Sequence, residues 1–250
     1  MEPRPFAIQV PDEVLTDLRE RLGRVRWPDE VPGSGWAYGA DLAYMKQLVA
    51  YWRDEYDWRA NEARLNAFRH YTVPLAGIDL HFIHEPGVGP DPLPLQLSHG
   101  WPGSIVEFRK LIPRLTDPGR FGDDPADSFS VVAPSLPGYG FSFTPNQPRF
   151  GVPQIAEVFA ELMSGVLDYG RFAAHGGDWG SFITARLGHS FPDRLLGIHL
   201  TMLPIRRDLP KPDPATEEDE RYLASSRNSS AMRPATSGSR APSRRPWPTA

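Results

Sequence analysis

The chain has 250 residues, 40% of them hydrophobic and 11% aromatic, with a net charge of −4 and no cysteine. That is enough apolar material for one sizeable core. It excludes a disulfide framework and a thiolate metal site, and it gives no reason to expect nucleic acid or an anionic membrane as a partner. No run approaches the roughly 18 consecutive apolar residues a membrane span needs. The opening Met1-Glu2-Pro3-Arg4-Pro5 has no basic-then-apolar signal pattern, so a cytoplasmic protein is expected.

Residues 11–24 should form an amphipathic helix, with Asp12 as N-cap and Val14, Leu15, Leu18 and Leu22 on one face. Pro28 and Pro32 end it. A second helix, capped by Asp41, puts Leu42, Met45, Leu48, Val49 and Trp52 on one stripe. A third follows Asp57, with Trp58, Leu65 and Phe68 inward. Trp27, Trp36, Trp52 and Trp58 all fall in this segment and are expected to pack it, as a helical meander, against the main core. The period then changes. Tyr71-Thr72-Val73 and Ile78 to His84 flank a turn containing Gly77, as a hairpin does, and the second run alternates as a half-buried strand should. On that strand His81 and His84 need no special role.

Leu93–Leu97 and Phe129–Ala133 read as deeply buried strands, with a helix around Ile105 to Leu115 between them. Another helix runs from about Pro153 to Leu167. Phe172–Ala174 is then a strand, residues 180–190 a helix, and Leu195–Leu200 a strand. Strands alternating with helices predict an α/β fold, a doubly wound and mostly parallel sheet preceded by the meander.

The chemistry concentrates in two loops. Gly176-Gly177-Asp178-Trp179-Gly180 follows a strand and opens a helix. Small residues on both sides of a central side chain are the signature of a nucleophile elbow, here with aspartate at its centre. Asp178 could instead be only the N-cap of the helix that follows. The glycines at 176, 177 and 180 favour a nucleophile, and the helix N-terminus would keep its carboxylate ionised. His99-Gly100-Trp101-Pro102 follows the strand at Leu93–Leu97, about 75 residues earlier. In this arrangement the loop supplies one amide of an oxyanion hole and the residue after the nucleophile supplies the other, which assigns the backbone N–H groups of Trp101 and Trp179. His99 is read as a structural histidine fixing its loop, and His175 as a packing residue; neither is the base. Tyr139, in the loop Leu136 to Ser142, could line a pocket or simply pack.

Together these segments resemble the microsomal-type epoxide hydrolases of the α/β-hydrolase superfamily, from about residue 4 to about residue 222. The resemblance rests on the Trp-rich N-terminal segment ending in Asp57 to Asn66, on Ile78 to His84, on His99 to Ser104, on Leu136 to Ser142 and on Gly176 to Ser181. It implies that Asp178 opens an epoxide to a glycol ester, that two tyrosines of a helical cap protonate the epoxide oxygen, and that a histidine with an acidic partner activates the hydrolytic water. A small apolar epoxide and water are the expected partners, with no cofactor and no metal. A haloalkane dehalogenase is the alternative enzyme, and an inactive hydrolase scaffold the alternative to an enzyme.

The resemblance also implies a division at residues 1–69 (meander), 70–204 (partial core) and 205–224 (start of the cap). Residues 225–250 would then be an aberrant, disordered tail. No acidic residue follows Glu220, while six arginines do. That change of composition is expected to mark a C-terminal truncation or a shifted reading frame. No histidine follows His199, and Tyr222 is the only tyrosine after the elbow. The base, its acid partner, the cap tyrosines and the last core strands are therefore expected to be absent.

Overall fold

The computed structural model describes residues 2–203 and 216–221. Residues 1–203 form one compact unit. Within the second unit, residues 217–221 are helical, and the rest of the expected cap start and tail lies outside the described residues.

Seven strands form one sheet in the order β1 (Arg4–Phe6), β2 (His70–Leu75), β3 (Ile78–Glu85), β5 (Phe129–Pro134), β4 (Leu93–Ser98), β6 (Phe172–Gly176) and β7 (Leu195–Leu200). From β5 to β7 the strands run parallel; β1, β2 and β3 add an antiparallel wing. The β2–β3 hairpin turns at Ala76 and Gly77, both at positive φ (51° and 79°), the conformation that matches the twist of the flanking strands. Two further helices, α5 (Val152–Glu161) and α6 (Trp179–Ser190), cover one face of the sheet. A 3₁₀ turn at Ile105–Phe108 and the short α4 (Ile112–Thr116) cover the other over β3, β5 and β4, and leave β7 exposed.

The period of two in the strands divides the core. Leu80, Phe82 and Val132 pack with Phe159 and Ile183 on the first face; Ile83, Val131 and Ala133 pack with Ile105 and Phe108 on the second. With both faces covered, the central strands must be apolar almost continuously. This corrects the half-buried reading of β3, where Leu80 to Ile83 are all buried and His81 is fully enclosed.

The N-terminal helices are α1 (Asp12–Gly23), α2 (Leu42–Asp54) and α3 (Trp58–Leu65). Asp41 and Asp57 cap α2 and α3, accepting from the amides of Tyr44 and Ala60. Asp12 is not the cap of α1: Pro11 takes that place, and Asp12, one residue inside, pairs with Arg59 of α3. The expected packing of the tryptophans is corrected for Trp27, Trp36 and Trp52, which are exposed, whereas Trp58 is half-buried. Trp36 is 63% exposed and Trp52 46%, because α1 and α2 pack on each other and leave the α2 stripe only half-covered, at Leu42, Met45 and Val49. Polar contacts instead knit the meander to itself, joining the segment after β1 to α3. Asn66 accepts from the Ile8 amide and donates to the Ile8 carbonyl, both at 2.8 Å, and Glu62 accepts from the amide of Val10 and the indole of Trp58.

Candidate active site

Parallel pairing explains why the two loops meet. Ser98, the last residue of β4, is in register with Gly176, the last residue of β6. The chain therefore leaves the same edge of the sheet twice, side by side, at the carboxyl ends where such sheets bind ligands.

Asp178 stands at φ 50°, ψ −124°, a backbone conformation that costs a non-glycine residue about 1–3 kcal/mol. Close packing of the turn holds it there. A Cβ at Gly180 would lie 2.1 Å from the Ser98 carbonyl oxygen, and one at Gly176 would lie 2.1 Å from the Gly180 carbonyl oxygen. Neither position can carry a side chain. The turn is locked further by the Ser181 hydroxyl, which donates to the Gly176 carbonyl at 2.8 Å, and by the Thr201 amide, which donates to the same carbonyl at 3.2 Å.

Asp178 Oδ1 accepts the Trp101 amide at 2.8 Å, across 77 residues of sequence. The amides of Trp101 and, second, Trp179 hold the carboxyl below the usual carboxylate range, so it is ionised at neutral pH. Oδ1 is thus tethered by the Trp101 amide while the side chain remains exposed to a ligand. The Trp101–Pro102 peptide is cis.

His99 is buried, and both of its ring nitrogens are used by backbone. Nε2 accepts the Leu136 amide at 3.0 Å, which leaves Nδ1–H to donate to the Gly100 carbonyl at 3.0 Å. Burial pushes its imidazole below the usual range, so it stays neutral and ties the Trp101 loop to the loop after β5. His175 and His199 are bonded to each other, Nδ1 to Nδ1, at 2.8 Å across β6 and β7. Beside Trp101 lies a groove of about 610 Å³ lined by Tyr139, Phe143, Phe150, Gln147 and Arg149. Among the described residues no group of three or more His, Cys, Asp or Glu side chains is arranged to hold a metal. No described helix is long and apolar enough to cross a membrane.

Two features escaped the sequence. Glu107, on the 3₁₀ turn, accepts the Gly100 amide through Oε1 at 3.3 Å. Buried His81 lies in a one-way chain in which the Ser135 hydroxyl donates to its Nδ1, its Nε2–H donates to His70 Nδ1, and His70 Nε2–H donates to the Leu65 carbonyl. The signal for Glu107 was a lone carboxylate in an apolar stretch just after the loop. For His81 it was a histidine on a strand with others on both sides.

Sheet order, elbow and covering helices define an α/β-hydrolase fold, and residues 94–232 match the profile of that family. Residues 3–108 match the profile of the epoxide hydrolase N terminus. A protein of Stigmatella aurantiaca (strain DW4/3-1) is 47% identical over 221 residues, which is 88% of this chain and 50% of that protein. Epoxide hydrolase 1 of Oryctolagus cuniculus is 39% identical over 209 residues, 82% of this chain and 46% of its own. Among solved structures, the epoxide hydrolase of Aspergillus niger superposes with a TM-score of 0.72 at 32% identity, covering 90% of this chain and 59% of the other. The chain belongs to the microsomal-type epoxide hydrolase family. It spans about half the length of the curated relatives it matches.

Proposed function

We propose that Asp178 opens an epoxide to a covalent glycol ester. The observation that carries this reading is its strained position between the Trp101 and Trp179 amides. With Oδ1 tethered, Oδ2 attacks an epoxide carbon. The new O–C bond forms as the ring C–O bond breaks, and the alkoxide takes a proton from a hydroxyl donor or water. The same two amides would stabilise the oxyanion formed when water attacks the ester. That second step needs a base. His99, His175 and His199 are engaged as described. The reading therefore covers ester formation with a small apolar epoxide, and assigns no base for release of the diol among the described residues. The match to an epoxide hydrolase N terminus favours it over halide displacement. Residues 1–69 would serve as the meander, 70–204 as the core bearing the elbow and 205–224 as the start of a cap, in a protein working in the cytoplasm.

Incubation with styrene oxide, followed by intact-mass and peptide analysis, tests the proposal. The expected result is a stable adduct of one epoxide on Asp178, absent in Asp178→Asn. A chain that gains no mass would be a hydrolase scaffold without the chemistry.

A further inference from the structure

Two carboxylates are held by consecutive amides of one loop. The Trp101 amide donates to Asp178 and the Gly100 amide to Glu107. Glu107 is carried by the turn Ile105–Phe108, whose Ile105 and Phe108 are both buried in the core, so its backbone is fixed from beneath. Its side chain folds back over a loop with no room to spare. A Cβ at Gly103 would lie 2.9 Å from the Gly100 carbonyl oxygen and 3.2 Å from Glu107 Oε1. A Cβ at Gly100 would lie 2.6 Å from both Cβ and Oδ1 of Asp178. No lysine or arginine pairs with Glu107 among the described residues, so an ion pair does not account for its place. Partial burial, then the charge of Asp178, pushes its carboxyl above the usual range, while the residue as a whole stays exposed to solvent.

Gly100 is therefore gripped from both sides, its N–H by Glu107 and its C=O by His99. Asp178 cannot provide this grip, because its own contacts change when it becomes an ester. We propose that Glu107 is a positioning residue for the step at Asp178: it fixes Gly100 so that the next amide, that of Trp101, stays aimed at Oδ1 while Oδ2 attacks. This rests on the reading of Asp178 as the attacking group.

The test compares the parent chain with Glu107→Ala and Glu107→Gln by two readouts, the rate of adduct formation with styrene oxide and the amide exchange of Trp101. Glu107→Ala should slow labelling at saturating epoxide roughly 10- to 100-fold, with the half-saturating concentration little changed, since one aimed donor is loosened. Its Trp101 amide should exchange about tenfold faster while the global unfolding midpoint stays put. Glu107→Gln keeps an acceptor oxygen and should restore both readouts to within about threefold of the parent. Labelling and exchange unchanged in Glu107→Ala would overturn the proposal, as would a Gln variant as defective as Ala. If the parent chain itself forms no adduct, the reading of Asp178 fails, and the Trp101 exchange still decides whether Glu107 holds the loop.

Discussion

Helices α2 and α5 both carry an apolar stripe at helical spacing, and only one of them buries it. In α5, residues Ile155, Ala156, Val158, Phe159 and Ala160 are closed off between the sheet and α6. In α2 no residue is buried, although Asp41 caps it as well as any helix in the molecule. Periodicity says that a face is apolar; it does not say what, if anything, lies against it. The same division runs through the chain. The sheet is held by packing; the first 66 residues are knit together by directed contacts from Asn66, Glu62 and Arg59. They join the sheet through β1 on β2, Phe6 against His81 and the Leu65 carbonyl on His70.

The seam between these regions is where the comparison can be broken most forcefully. His81 is held neutral by burial, with His70 adding to the effect, and its pKa falls to about 3. Between pH 6.5 and that value the unfolded chain takes up a proton that the folded chain refuses. The associated stability is complete above about pH 6.5 and declines as pH falls, by up to about 5 kcal/mol near pH 3. Urea melts from pH 7 to pH 3 should show this slope, and His81→Gln should flatten it. An unchanged slope would move the acid sensitivity to other groups.

Within the core, Phe159→Ala should cost roughly 3–5 kcal/mol in the same melts, because it empties a site with no exposure at all. A much smaller loss would mean that α5 can collapse onto the sheet, and its contrast with α2 would weaken. Asp57→Ala removes the acceptor for the Ala60 amide at the start of α3 and should cost about 1 kcal/mol. Leu48→Ala, on the open stripe of α2, should change stability by less than about 0.5 kcal/mol. A loss comparable to that of Phe159→Ala would show the stripe to be covered after all.

Much of the fold was legible because its signals are local. The strands at 93, 129, 172 and 195 and the turn at Gly77 stand within a residue or two of their expected places, since continuous apolar runs bounded by turn residues leave few alternatives. The helix expected at 105–115 is instead a 3₁₀ turn and a five-residue helix with Pro113 in its first turn, where proline fits best. The helix expected to reach Leu167 ends as α at Glu161 and widens into a π turn. The residues of the elbow could be named from their spacing because that turn admits so few sequences. What brought Trp101 against Asp178 could not, since the parallel register of Ser98 with Gly176 is a property of the sheet. Glu107 and His81 were invisible for a related reason. Each acts through a partner distant along the chain or held by the turn of a loop, and pattern along one strand or helix carries no trace of that.

One consequence of the elbow is optical. The two amides that hold Asp178 belong to tryptophans, and these residues are 64% and 47% exposed. Replacing a carboxylate between them by a neutral ester alters the field and the solvent around both chromophores at once. Occupancy of the site should therefore appear as a shift in tryptophan emission, a spectral clock for a single covalent event that needs no added label.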